Sequence, residues 1–422
     1  MQLRKSVVKL RRSILHCDMN NFYASVECML DPSLKEFPIA VCGSQEERHG
    51  IVLAKNYKAK AFNVQTGDVI WEAKKKCPTL VVVPPHYEEY IKYSKLAREI
   101  YSRYTDQVEP YGMDECWLDI SGTEQIFGTA EEVANEIRET IKFELGLTIS
   151  VGVSYNKIFA KLGSDMKKPD AVTIIGSESF KDIVWPLPAE DLLGIGRATK
   201  RKLNDYGIRT IGDLANFNVD ILQSRLGKNG ITLWKFANGN DTSPVTKIGY
   251  SEPVKSVGHG ITTVADLECD NHVWLVMLEL AQDIGHRLKK YRLCAESVAI
   301  HIRDNELSTS QWQIPVDLPT QSPMVIARTA YNLFKKRYRW HKPIRSVTIQ
   351  AINLVSQDAP RQISIFMDAE QQDKMERLEQ CIEKIRERFG KDIIRNGVLF
   401  QDLKMAPEKA VITMPTGMVR GG

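Results

Sequence analysis

Three acidic residues stand where the chain changes direction. Asp18 closes a short apolar run, Ser13–Cys17, and Asp114 and Glu115 end a tight turn, Gly112-Met113-Asp114-Glu115, that opens a second apolar run, Cys116–Ile120. Read singly, each is a solvated surface charge or a turn residue. Brought together, they would repel one another unless a cation sat among them. Ligands made only of oxygen favour Mg²⁺, with Mn²⁺ able to substitute. Two such ions roughly 3.5–4 Å apart are the arrangement that activates an attacking oxygen and stabilises a leaving one in phosphoryl transfer. The chemistry thus depends on whether the fold brings Asp18 to Asp114 and Glu115.

The pattern of apolar residues predicts elements that do so. Ser13–Cys17 suits a buried strand and Asn21–Leu30 has helical spacing. Pro38–Cys42, Gly50–Ala54 and Leu80–Val83 read as strands, Glu72–Lys76 as a short helix, and Pro84-Pro85 closes that stretch. Glu88–Tyr104 is an amphipathic helix, Gln107–Tyr111 and Cys116–Ile120 are strands, Glu131–Leu145 is a helix, and Thr148–Val153 alternates like a strand. With Pro32–Pro85 set aside as an insertion, the order is the ferredoxin-like βαββαβ. Its first and third strands are antiparallel neighbours, so Asp18 falls beside Asp114 and Glu115. A strict pleat would send Asp114 and Glu115 to opposite faces; their place at the bend lets both point one way.

Beyond this unit, Phe180–Asn238 reads as helical and glycine-punctuated, Asn238–Val254 as a linker, and Val254–Val355 as a second α+β unit with helices over Asn271–Tyr291 and Pro323–Tyr338. A tail follows, with a charged helix near Met375–Phe389 and fraying after Pro407. The chain has 422 residues, enough for two to four domains. Its 43% hydrophobic and 26% charged residues exclude a mainly disordered, collagen-like or coiled-coil chain. No apolar run approaches the roughly 18 residues of a membrane span, and the basic N-terminus lacks the apolar core of a secretory signal. The eight cysteines form no CxxC pair and read as reduced thiols, so a cytoplasmic location is expected. The formal net charge is only +4, but residues 253–355 alone hold 13 Lys and Arg against 9 Asp and Glu.

Three longer motifs carry a resemblance. Asp18–Glu27 (DMNNFYASVE), Met113–Asp119 (MDECWLD), and Ser150–Lys157 with Phe159–Pro169 (SVGVSYNK, FAKLGSDMKKP) are similar to the three motifs of the Y-family, translesion DNA polymerases. The likeness runs from about Ser13 to the tail and is nearest the bacterial DNA polymerase IV branch, with UmuC-like features in fingers and tail. It implies an α+β right-hand polymerase: a ferredoxin-like palm (1–30 and 86–177), small inserted fingers (31–85), a helical thumb (178–238), a linker (239–253), an α+β little finger (254–355) and a tail (356–422). Asp18, Asp114 and Glu115 become the catalytic ligands of two Mg²⁺ ions, with the Met19 main-chain carbonyl beside them. Tyr23, next to Phe22, becomes the steric gate under the sugar of the dNTP. Tyr57, Lys60 and Lys168 become triphosphate contacts, Lys60 standing where the family more often has Arg. Ile51 and Leu53 fall under the templating base. By type alone, Tyr23 also suits a helix core and the two lysines a solvated surface.

The same likeness implies low-fidelity synthesis past damaged templates, with no proofreading exonuclease. Primer-template DNA is the expected partner. Gly194-Ile195-Gly196, between an apolar helix and a basic one (Arg197, Lys200, Arg201, Lys202), fits a helix-hairpin-helix whose amides meet phosphate; a plain αα-hairpin is the alternative. Lys336, Arg337 and Arg339, clustered with Lys335, Lys342 and Arg345, fit a contact to the duplex backbone. In the tail, Gln362-Ile363-Ser364-Ile365-Phe366 resembles a sliding-clamp-binding pentapeptide, with Gln362, Ile365 and Phe366 as anchors; an edge strand is the alternative. Rival functions are a non-catalytic DNA-binding scaffold and a palm-type nucleotide cyclase.

Overall fold

The Ser13–Cys17 run forms a strand, β1 (Ile14–Met19), buried along its whole length. It is buried because it lies in the middle of a five-stranded sheet with helices against it. The computed structural model of the chain describes residues 12–250, 252–360, 369–390 and 393–405. They fall into two units: one runs through Gly43 and resumes from Ile51 through the linker, and the other takes in Ser44–Gly50 and the described residues from Glu252 onward.

In the first unit, helix α1 (Phe22–Leu30) follows β1. The insertion carries a small sheet of β2 (Ile39–Cys42), β3 (Val52–Lys55) and β4 (Val81–Val83), with α2 (Tyr57–Ala61) and α3 (Ile70–Lys76) packed on it. The chain then returns through α4 (Tyr87–Tyr101), β5 (Val108–Pro110), β6 (Glu115–Asp119), α5 (Glu124–Phe127), α6 (Ala130–Leu145), β7 (Ile149–Ser154), α7 (Lys157–Met166) and β8 (Val172–Ile175). The sheet order is β5-β6-β1-β7-β8, with β1 antiparallel to both β6 and β7. Four of these strands reproduce the expected βαββαβ arrangement.

The fifth strand, β8, and helix α7 are additions to that reading. They pack because glycines clear the way: a Cβ on Gly152 would lie 1.9 Å from the Ala160 carbonyl oxygen, so only glycine lets α7 press on β7. Helix α6 begins at a capping box, Thr129 with Glu132, and buries Val133, Ile137 and Ile141, spaced four apart, on the sheet.

The stretch expected to be the thumb holds α8 (Phe180–Val184), α9 (Arg197–Asn204), α10 (Ile211–Asn216), α11 (Val219–Leu226) and α12 (Lys228–Ala237), around a core that includes Leu192, Leu203, Leu214 and Leu233. The stretch read as a linker is pinned to the palm over part of its length. Val245 is buried against Ile14, Trp117 and Ala160. The Thr246 amide donates to Glu109 Oε2 (2.9 Å) and the Ile248 amide to the Asp106 carbonyl (2.9 Å).

The second unit has four antiparallel strands, β9 (Ser256–Leu267), β10 (Leu293–Asp304), β11 (Thr309–Thr320) and β12 (Ile344–Ser356), in the order β11-β10-β12-β9. Helices α13 (Asp270–Tyr291) and α14 (Pro323–Arg337) cover one face, over Val298, Ile300, Ile302, Val347 and Ile349. The alternate residues face away from them. A tail helix, α15 (Ala369–Phe389), meets α13 where Glu383 pairs with His286 and Arg386 Nη1 donates to Gln282 Oε1 (3.1 Å). All eight cysteines are free, and only Cys269 and Cys381 are exposed. Gln362, Ile365 and Phe366 lie outside the described residues.

Candidate active site

Strand pairing delivers the first two carboxylates. Asp18 lies directly opposite Glu115 across β1 and β6, both almost wholly buried. The Met19 amide donates to the Asp114 carbonyl (3.0 Å), which fastens the end of β1 to the turn carrying Asp114. That turn is held from α4 as well: the Ser94 hydroxyl donates to the Met113 carbonyl, and Arg98 Nη2 to the Gly112 carbonyl (3.0 Å). Gly112 has φ +87°, a conformation glycine adopts without strain.

Cationic side chains from α7 and the loop after it enter the same site. Lys161 Nζ lies 3.3 Å from Asp18 Oδ2, 3.4 Å from Glu115 Oε1 and 2.7 Å from Asp165 Oδ2. Lys168 Nζ lies 2.9 Å from both Asp18 Oδ2 and Asp165 Oδ1. Burial alone would lower the pKa of each lysine, but the carboxylates outweigh it: Glu115, Asp18 and Asp165 raise Lys161, and Asp18 and Asp165 raise Lys168. Burial pushes Asp165 up, and the two ammonium groups more than reverse this. Beneath Glu115, the fully buried His16 places Nε2 3.7 Å from Glu115 Oε2 and Nδ1 2.8 Å from the Ser164 hydroxyl.

Among the described residues no three His, Cys, Asp or Glu side chains close around one point as a ready chelate. Lys161 bridges Asp18 and Glu115, and the Asp114 carboxylate lies back over Gly112, with Oδ1 3.6 Å from where a Cβ there would stand. The donors themselves fit a hard divalent ion: Asp18, Asp114 and Glu115 carboxylates with the Met19 carbonyl, all oxygen.

The expected nucleotide contacts divide. Lys168 is at the site, and Tyr57 is close enough that its phenol, raised chiefly by burial, also responds to Lys168 and Asp18. Lys60 lies one turn along α2, 5.6 Å over the Tyr57 ring. Tyr23 packs between Phe22, Tyr87 and Tyr90; its phenol is raised first by burial and then by the Asp114 charge. Ile51 and Leu53 flank the buried Val52, and strand alternation sends them to the same face. Sequence reading passed over Lys161, Asp165, His16, Ser94 and Arg98. The signal for Lys161 was its place within the apolar stripe Ile158, Phe159, Leu162, with Asp165 one turn on.

Residues 17–165 match the impB/mucB/samB family, and residues 254–365 its C-terminal domain. Residues 190–241 match the thumb domain described as that of DNA polymerase-iota. DNA polymerase IV of Acetivibrio thermocellus is 51% identical to this chain over 393 residues, 93% of this chain and 98% of that protein. The chain belongs to the Y-family DNA polymerases. DNA polymerase IV 1 of Bacillus subtilis is 37% identical, over 92% of each chain. A solved Y-family chimera of Dbh and Dpo4 shares the fold, with a TM-score of 0.71 at 22% identity, covering 82% of this chain and 99% of that one.

The two groups of this Y-family chain expected to meet DNA lie in different units. Gly194 has φ +94° and Gly196 starts the basic helix α9, as expected of a hairpin. The element before it, however, is a single 3-10 turn, Ala189–Asp191, and not a helix, because Pro186 and Pro188 interrupt the run. Lys336 and Arg337 end α14, and Arg339 follows it, so all three belong to the helical layer of the second unit. Lys342 is paired with Glu306. The sheet face turned away from the helices presents Gly258, Gly260 and Thr262 from β9, Ser346, Thr348 and Gln350 from β12, and His301 and Arg303 from β10, with His49 of the Ser44–Gly50 segment beside the β9 and β12 residues. No helix among the described residues is long and apolar enough to cross a membrane.

Proposed function

We propose that this chain, a DNA-directed DNA polymerase of the Y family, extends a primer 3′ end with dNTPs opposite damaged templates by nucleotidyl transfer assisted by two Mg²⁺ ions. The observation that carries this reading is the apposition of Asp18 and Glu115 across β1 and β6, with Asp114 at the head of the same strand. Asp18, Asp114, Glu115 and the Met19 carbonyl would hold the metal, whose chemistry is to activate the primer oxygen and neutralise charge on the phosphates. Mn²⁺ fits the same donors. Lys168, Tyr57 and Lys60 meet the triphosphate, where positive charge offsets what the metal does not. Tyr23, backed by Phe22, excludes a 2′-hydroxyl, and Ile51 and Leu53 lie under the templating base.

The small insertion sheet is too slight for a large closing lid, so selection by induced fit is weak and fidelity low. The family resemblance implies that the chain works without a proofreading exonuclease. The amides of the Gly194–Gly196 turn grip phosphate without reading sequence. In the second unit the sheet face turned away from the helices, where Arg303 and His301 stand among glycines and small hydroxyl and amide side chains, is the surface we favour for the duplex, ahead of Lys336, Arg337 and Arg339. Gln362, Ile365 and Phe366 tether the enzyme to a sliding clamp, and replacing Ile365 and Phe366 by Ala removes clamp stimulation while sparing basal extension.

Extension of a labelled primer across an abasic or bulky template lesion, with Mg²⁺ and dNTPs, tests the activity. Incorporation is expected with the wild-type chain and its loss with Asp18→Ala. Duplex binding with no incorporation by the wild-type chain would favour the scaffold instead.

A further inference from the structure

Among the described residues the Tyr23 ring is held by ring contacts and not by a hydrogen bond from its hydroxyl. Its neighbour in the stack is Tyr90, at 4.2 Å between centroids and 8° between planes. The stack on Tyr90 and the contacts with Phe22 and Tyr87 set the plane and offset of the ring, but each is worth only about 0.5–1.5 kcal/mol and holds it no more firmly than those neighbours are themselves held. A ring that must meet or miss one hydroxyl group on a sugar therefore needs lateral fixing from elsewhere.

Glu27 provides it. This glutamate sits one turn after Tyr23 on α1 and is only 2% exposed. A carboxylate so buried is costly unless its oxygens are satisfied. Its partners all come from the start of α4. The Tyr90 hydroxyl donates to Oε1, and the His86 amide reaches the same oxygen at 3.3 Å. His86 Nδ1 lies 2.9 Å from Oε2 and 3.1 Å from Oε1. His86 is the N-cap residue of α4 and its side chain makes no cap bond, so Glu27 takes over the capping role from a different helix. The consequence is directional: the far end of the Tyr90 ring is tied to α1, the same helix that carries Tyr23.

We propose that Glu27 is a positioning residue for sugar selection, holding Tyr90 by its hydroxyl and, through the stack, the face that Tyr23 presents to the incoming nucleotide. This rests on the reading of Tyr23 as the sugar gate. The Glu27 carboxylate bonds to His86 and Tyr90 and not to the expected metal ligands, so its effect is on the choice between ribose and deoxyribose more than on the rate with dNTP.

The test is a double-mutant cycle on the ratio of kcat/KM for an rNTP to that for the matching dNTP, with thermal melting of every protein. Tyr90→Phe keeps the ring and loses the tie; it is expected to raise the ratio about fivefold or more, with kcat/KM for dNTP within about twofold of wild type. Glu27→Ala is expected to match it, and Glu27→Gln, which keeps an acceptor for the hydroxyl, to restore most of the discrimination. In a Tyr23→Ala background, Tyr90→Phe is expected to change the ratio no further. If Tyr23→Ala raises the ratio and folded Tyr90→Phe leaves it at the wild-type value, the positioning role is wrong while the gate stands. If Tyr23→Ala leaves the ratio unchanged, the gate reading falls and this proposal with it. Should Glu27→Ala fail to fold, Tyr90→Phe, which preserves the packing, decides the matter.

Discussion

The palm site and the sheet face of the second unit turned away from its helices handle polar groups in opposite ways. In the palm, Asp18, Glu115 and Lys161 are at most 8% exposed and locked against one another at 3.3–3.4 Å. On that sheet face, Gly260 and Arg303 are exposed, and Ser346, Thr348 and Gln350 are half-exposed, with little charge among them. A reaction that builds charge at one point gains from fixed charges in a low-dielectric setting. A grip that tolerates any sequence and damaged bases gains from small groups that water already solvates. The difference also shows where disruption is costly: a buried ammonium among carboxylates cannot be removed without leaving charge uncompensated, whereas a solvated serine can.

The comparison can be broken most severely at the carboxylates. Asp18→Ala or Asp114→Ala is expected to lower single-turnover dNTP incorporation by about 10²–10³ or more, while duplex affinity measured by anisotropy stays near wild type. Next comes Lys161→Met, which takes the ammonium from the buried Glu115 while Lys168 still pairs with Asp18 and Asp165, and is expected to cost about 3 kcal/mol in urea unfolding of the first unit. Added Mg²⁺ should return part of that loss. The sign with pH follows from the shifts. The Lys161 pKa is raised, so its contribution is complete below the ordinary lysine value and is lost only as pH rises through its folded value. Asp165 is lowered, so its contribution is complete above the ordinary carboxylate value and is lost as pH falls through its folded value. The stability gap between wild type and Lys161→Met should therefore be flat across neutral pH and narrow at both extremes.

A smaller effect is expected at the gate, where Tyr23→Ala should raise ribonucleotide incorporation relative to dNTP by about 10–100-fold through relief of a steric clash. The smallest sharpens the second half of the comparison. Arg303→Ala, on that sheet face, should weaken duplex binding and reduce the slope of log affinity against log salt by about 1. Lys336→Ala, on the helical layer, should leave that slope alone; the reverse result would move the grip to the helices.

Much of the palm was legible because its signals are local and periodic. The apolar runs ending at Asp18 and starting at Cys116 are short enough to be strands, and the Gly112 turn lies where the βαββαβ order needs a hairpin. Helix α7 and strand β8 were not legible: Val172–Ile175 is four residues long, and the close approach that packs α7 depends on Gly152, which sequence alone does not distinguish from a turn glycine. Lys161 was missed because a lysine is ordinarily solvated, and only the fold shows three carboxylates around it. The linker looked free from its Gly, Asn and Pro content, but one apolar residue, Val245, is enough to dock it when a pocket of Ile14, Trp117 and Ala160 is waiting. The sheet face turned away from the helices was not legible for the opposite reason: Arg303 and His301 stand there singly among small polar residues, so no run of charge marks it as one marks Lys336–Arg339.

The central claim is that the carboxylates at the β1–β6 junction perform the transfer while other surfaces hold the DNA. Its most direct measurement is Glu115→Ala assayed side by side for single-turnover incorporation with Mg²⁺ and for equilibrium binding of the same primer-template. The account predicts that incorporation is lost and binding is kept. Extension by Glu115→Ala at close to the wild-type rate would contradict it.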